Sequence, residues 1–254
     1  MILKIRTSIA FTLAVVSLII WTPVAILGGW VLPEKGAFYV ATLWGRWVTF
    51  LVKHIVGIRY KVVGKANIPA TPCVVLSKHQ SMLDIFVLLM VFSPQAWVFK
   101  RELLRIPFFG WALAATKPIA IDRSAGRQAM SMLIEQGKRK LAAGFWVVLY
   151  PEGTRTKPGE KGTYKNGGVM LAKAAGVPIL PVALNTGLFW EKGKGPINTG
   201  EVEIVISPLI MPNEEIRLIT QQVEASIEEN TAQITRQHPY YLAMLQQKKE
   251  HNKS

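Results

Sequence analysis

The sequence predicts an α/β fold: a mixed, largely parallel sheet flanked by helices, behind an N-terminal membrane-associated helical hairpin. Three observations carry this. After about residue 58, short apolar, β-branched runs alternate with helical stretches. Residues 9–32 hold no charged side chain. Residues 37–57 form a second apolar stretch whose polar residues keep helical spacing. The 254-residue chain therefore divides into membrane-anchoring helices over 1–57 and a larger domain over 58–254.

The first stretch is long enough to matter. Twenty-four helical residues extend about 36 Å, against a hydrocarbon core of about 30 Å. Trp21-Thr22-Pro23 and Gly28-Gly29 interrupt it, so a kink is expected. A cleaved signal peptide would be shorter and would end in small residues. In the second stretch Thr42, Arg46, Thr49 and Lys53 fall on one stripe of a helix. Arg46 near its middle disfavours a span facing lipid. An interfacial helix, or the second arm of a hairpin, fits better. A hairpin also lets Lys4, Arg6 and the basic domain share one side of the membrane, whereas a single span would separate them. Two full spans are the competing arrangement.

Strands are expected at Ile58–Gly64, Pro72–Ser77, Ala96–Phe99, Pro118–Ile121, Trp146–Tyr150, Pro178–Leu184 and Val202–Ser207. Helices are expected at Ser81–Phe92, within 102–115, and at Gly126–Ala142, Lys165–Ala175 and Glu214–Gln237. Pro178 and Pro181 suggest a strand near a sheet edge. The last nine residues, 246–254, read as a frayed basic tail.

Thirty Lys and Arg against sixteen Asp and Glu leave a net charge of +14, which favours anionic partners. Residues 100–165 alone hold thirteen basic and five acidic side chains. No nucleic-acid-binding motif accompanies them, and the apolar N-terminus points to a membrane surface. The single Cys73 excludes an intrachain disulfide and reads as a core residue.

Four segments could carry chemistry. His79 and Asp84 follow a strand and open a helix. With His79 on the turn and Asp84 in the first helical turn, the carboxylate can hold one imidazole nitrogen and leave the other to take a proton. Ser81-x-x-Asp84 equally resembles a capping box, which needs no catalysis. Tyr150-Pro151-Glu152-Gly153-Thr154-Arg155 sits at a strand end, where ligands gather in α/β sheets. Arg155 presents a fork suited to phosphate, Glu152 an acceptor, and Gly153 a close backbone approach; a surface ion pair is the plain alternative. Lys100 and Arg101 precede the apolar stretch Ile106–Trp111, which suits an anionic headgroup beside an acyl chain or simply a packed turn. Asp122-Arg123 is an ion pair or a phosphate contact.

These pieces together resemble the 1-acylglycerol-3-phosphate acyltransferase (lysophosphatidic acid acyltransferase) family of the glycerolipid acyltransferases. Four blocks appear in order: His79-x-x-x-x-Asp84, Lys100 to Gly110, Pro151 to Arg155, and Val177 to Pro181. They span roughly residues 60–185. Lys78 stands where many members have Asn. The resemblance implies that the 58–254 domain is catalytic, with His79 as base and Asp84 as its orienter. It implies Glu152, Gly153 and Arg155, with Thr154 of the same block, in glycerophosphate binding, and Lys100 with its neighbour Arg101 in substrate contact; Arg155, with Lys100 or Arg123, would then hold the phosphate. The expected reaction moves an acyl group from acyl-CoA or acyl-carrier protein to the sn-2 hydroxyl of 1-acyl-sn-glycerol-3-phosphate, forming phosphatidic acid. Another lysolipid, such as a lyso-ornithine lipid, is the alternative acceptor. A thioester is already activated, so neither a metal nor a cofactor is expected. The expected location is the inner membrane, with the catalytic domain on the cytoplasmic face. A hydrolase and a non-enzymatic lipid-binding protein are the rival classes.

Overall fold

The structure, a computed structural model, describes residues 1–122 and 125–251. Two helices open the chain, α1 (Ile2–Val31) and α2 (Glu34–Leu51), joined at Leu32–Pro33. A π-helical turn, Val52–Val56, leads into the sheet. The strands are β1 (Ile58–Val63), β2 (Val74–Ser77), β3 (Gln95–Lys100), β4 (Ile119–Ile121), β5 (Trp146–Leu149) and β6 (Ile179–Leu184). A small hairpin of β7 (Trp190–Glu191) and β8 (Gly195–Pro196) precedes β9 (Gly200–Ile206). The remaining helices are α3 (Leu83–Val91), α4 (Phe109–Ala115), α5 (Gly126–Ala142), α6 (Gly167–Ala175), α7 (Ile216–Arg236) and α8 (Pro239–His251).

Seven strands form one sheet in the order β1-β9-β6-β2-β5-β3-β4, and every pairing is parallel except β6 with β9. The period of two sorts its core. Val74, Leu76, Val147, Leu149 and Ile179 face Leu133 of α5, Val169 of α6 and Val223 of α7. Val75, Trp146, Val148, Leu180 and Val182 belong to a second core with Leu83 and Phe86 of α3 and Val48 and Leu51 of α2. Both faces are covered, which is why the central strands read as continuous apolar runs. Parallel strands bring their carboxyl ends to one edge. The segments after β2, β5 and β6, and the end of β3, therefore meet there.

The structure places the second apolar stretch differently from an interfacial helix with its polar stripe outward. Thr42 and Thr49 are buried and donate to the carbonyls of Phe38 (2.7 Å) and Gly45 (2.9 Å). Arg46 donates to Ser93 Oγ at 3.1 Å. Threonine hydroxyls bonded to their own helix can be buried at little cost, so Thr42, Arg46 and Thr49 face protein while Lys53 is exposed. Tyr39, Leu43, Trp47 and Phe50, one stripe at helical spacing, are left exposed. α1 packs alongside, with Trp21 donating to the carbonyl of Val40 and Trp44 to that of Ala14, each at 3.0 Å. α1 runs unbroken through Pro23 and is the one described helix long and apolar enough to cross a membrane.

α2 is also part of the main core. Phe38 is fully buried, 5.7 Å from the Trp97 ring and 5.8 Å from that of Phe145, and an ion pair joins Glu34 to Lys140 of α5. Phe38→Ala should therefore destabilise the whole sheet domain by about 3–5 kcal/mol. Thermal unfolding of the purified protein should shift by roughly 10 °C. An unchanged midpoint would show α2 to be a separable anchor.

Two further expectations change. β6 is interior, not near an edge. Pro181 faces β9 just beyond the last pair, Val182↔Ile206; its carbonyl still accepts the Ser207 amide (3.0 Å), so the missing N–H costs one bond at the end of that ladder. The helix expected within 102–115 is α4, preceded by a 3₁₀ turn, Arg101–Arg105, that ends before Pro107. The tail is helical through His251, because Tyr240 donates to the Thr199 carbonyl (2.8 Å) and Tyr241 packs on Gly159, fixing the start of α8.

Candidate active site

His79 lies on the turn after β2 and Asp84 in the first turn of α3. Their side chains meet, His79 Nδ1 to Asp84 Oδ2, at 2.7 Å. A carboxylate only accepts, so Nδ1 carries a proton, and in the neutral ring Nε2 is the nitrogen with the lone pair. The capping reading holds as well: the same Oδ2 accepts the amides of Gln80 (2.8 Å) and Ser81 (3.0 Å). Thr186, on the turn after β6, donates to Oδ1. Asp84 is fully buried and locked by four contacts, while the His79 side chain is 17% exposed. An imidazole held in this way can accept a proton at Nε2 from a group in the cavity it borders.

That cavity measures about 630 Å³. Its polar lining includes His79, Lys100, Tyr150, Gly153, Arg155 and Lys165. Its apolar lining includes Phe99, Ile121, Met130 and Leu133. Such a space has room for an alkyl chain with a charged group at one end. Among the described residues Arg155 has no carboxylate partner, whereas Lys100 pairs with exposed Glu102 at 3.2 Å. Gly153 adopts φ +69°, a left-handed turn that suits glycine. α6 starts in the cavity wall at Gly167 and Gly168, and a helix N-terminus favours negative charge.

Tyr150 stacks on His79, ring centroids 3.9 Å apart and 17° from parallel. Burial, and then the charge of Asp84, push its phenol well above the usual range. Its hydroxyl is therefore a neutral donor, and it has no hydrogen-bond partner among the described residues.

The structure thus gathers His79, Lys100, Gly153 and Arg155 around one cavity, with Asp84 behind. Glu152 does not line it. Oε1 of Glu152 accepts from Lys78 Nζ (2.8 Å) and Gly162 N (3.1 Å), and Oε2 accepts from His79 N (3.0 Å). Thr154 and Arg101 are also absent from the cavity lining; Lys192 reaches the Thr154 hydroxyl from the β7–β8 hairpin at 3.5 Å. Arg123 lies outside the described residues. Sequence reasoning missed Thr186, Lys165 and the Lys78 contacts. Lys165 stood at an expected helix start, where a basic residue carries no special signal. Among the described residues no group of three or more His, Cys, Asp or Glu is placed to hold a metal ion.

Cys73 is fully buried, and burial pushes its thiol up from 9.0 to about 12. That leaves about 1,000-fold less thiolate at neutral pH than an ordinary cysteine. Native protein should resist maleimide labelling, and Cys73→Ala should keep wild-type turnover. A labelled native thiol, or a dead Cys73→Ala protein that still folds, would reopen a covalent route.

Comparison with known proteins gives a family and a fold. The Acyltransferase family profile matches residues 59–185. A Pseudomonas aeruginosa protein named 1-acyl-sn-glycerol-3-phosphate acyltransferase is 41% identical over 236 residues, 91% of this chain and 92% of that protein. The Saccharomyces cerevisiae protein of the same name is 32% identical over 180 residues, 66% of this chain and 59% of its own length. The crystal structure of a 1-acyl-sn-glycerophosphate acyltransferase from Thermotoga maritima matches with a TM-score of 0.74 at 24% identity, covering 91% of this chain and 97% of that one. The latter shows the shared fold.

Proposed function

The chain belongs to the Acyltransferase family, and from that premise we propose that it transfers an acyl group from a thioester to the sn-2 hydroxyl of 1-acyl-sn-glycerol-3-phosphate, forming phosphatidic acid. The donor is acyl-CoA or acyl-carrier protein. The observation that carries the reading is the His79–Asp84 pair, whose His79 lines a cavity that Arg155 and Lys100 also line.

In this scheme Nε2 of His79 takes the proton of the acceptor hydroxyl. The oxygen forms a bond to the thioester carbonyl carbon. The carbon–sulfur bond then breaks, and the thiol leaves with the proton returned by His79. Asp84 holds the imidazole and offsets its transient charge. Arg155, with Lys100, binds the phosphate and so places the hydroxyl; Glu152 acts behind the wall rather than on the ligand. The scheme uses no metal or cofactor, because the donor is already activated. The exposed faces of α1 and α2 lie in the membrane, which supplies the lysolipid, and the domain sits on the cytoplasmic side of the inner membrane.

The test is a panel of lysolipid acceptors, lyso-ornithine lipid included, with labelled acyl-CoA and separately with acyl-carrier protein. Preferred acylation of lysophosphatidate is expected. Turnover of another lysolipid alone would overturn the acceptor, and thioester cleavage without any acceptor would make the protein a hydrolase. Arg155→Ala should raise the KM for lysophosphatidate about tenfold or more, the loss of a charge-assisted contact. Unchanged KM and kcat would remove Arg155 from the phosphate site.

A further inference from the structure

A lysine with no exposed surface sits one residue before His79. Lys78 Nζ has three acceptors: Glu152 Oε1 at 2.8 Å, Glu228 Oε1 at 2.7 Å and the Glu160 carbonyl at 3.0 Å. All three ammonium hydrogens are used. Glu228 comes from α7, 150 residues away in sequence, and also accepts from the Tyr164 hydroxyl at 2.8 Å. Burial, and then Glu228, hold that phenol well above its usual range, so it remains a donor.

The cluster reaches the reacting residue through Glu152. Its Oε2 accepts the His79 amide at 3.0 Å. The His79 carbonyl in turn accepts from the amide (2.9 Å) and hydroxyl (3.2 Å) of Thr156, next to Arg155. Both backbone polar groups of His79 are thus held by the 151–165 segment, and Lys78 bridges that segment to α7. With Lys78 gone, two carboxylates would face each other with no cation between them.

We propose that Lys78 is a positioning residue: by clamping Glu152 and Glu228 it sets the His79 turn against the Arg155 loop, and so sets the rate of the proton transfer. It acts through Glu152 and does not touch substrate. The inference rests on His79 being the base. A His79→Ala protein that keeps its activity would remove that reading whatever Lys78 does.

The experiment pairs Lys78→Met with Lys78→Met/Glu228→Gln, assayed as full-length protein with lysophosphatidate and acyl-CoA. The double variant keeps the net charge of the buried cluster and lacks the bridge. Its thermal midpoint is expected to recover relative to Lys78→Met. Its kcat is expected to stay about 100-fold below wild type, the scale of a misplacement of roughly 1 Å, with acceptor KM within about threefold. Recovery of kcat together with the midpoint would show that Lys78 only neutralises charge and would overturn the proposal. So would a loss carried by KM, or failure of both variants to fold, which would make Lys78 a folding residue.

Discussion

His79→Ala is expected to lower kcat for acyl transfer by about 10³- to 10⁴-fold, the contribution of a positioned general base with its carboxylate. That equals roughly 4–5.5 kcal/mol of lost transition-state stabilisation. The fold should survive. Asp84 keeps the amides of Gln80 and Ser81 and the Thr186 hydroxyl without the imidazole. The backbone bonds of His79 to Glu152 and Thr156 do not involve its ring. The acceptor KM should change little, because Arg155 and Lys100 stay in place. A His79→Ala protein with kcat within tenfold of wild type would sink the mechanism.

Asp84→Asn should cost about 10³-fold in kcat, again with a folded protein. The amide is nearly isosteric. Its oxygen can take the place of Oδ2 and keep the bonds from Gln80, Ser81 and the His79 ring. Its nitrogen then faces Thr186, whose hydroxyl can turn to accept. What is lost is the negative charge that offsets the imidazolium as the proton arrives. Asp84→Ala is the poorer test, since it leaves two buried amides unsatisfied at about 1–3 kcal/mol each. Circular dichroism and turnover should be measured on the same Asn preparation. Full activity would reduce Asp84 to a helix cap, and inactivity matched by unfolding would do the same.

Much of the site was legible because its parts are local. His79 and Asp84 are five residues apart across a strand-to-helix junction, and that junction follows from an apolar run ending at Ser77. Arg155 and Gly153 likewise follow the run Trp146–Leu149. Thr186 carried no such signal. It reaches Asp84 from 102 residues away, and only because β6 pairs with β2. Glu152 was misleading for a related reason. Its residue type suits a ligand contact, but its direction depends on a buried lysine and on the Gly162 amide.

The residues alone determined the alternation of strands and helices, the strand-end placement of the candidate groups and the presence of a long apolar helix at the N-terminus, since these rest on periodicity and short spacings. Tertiary structure decided which way α2 faces and which groups share the cavity. A helix with Thr42 and Thr49 on one side and Tyr39, Leu43, Trp47 and Phe50 on another can bury either face. The choice depends on what lies against it, and here Phe38, Trp97 and Phe145 pack together while the aromatic stripe is left outward. The meeting of His79, Arg155 and Lys100 depends likewise on parallel pairing, which brings the carboxyl ends of distant strands to one edge.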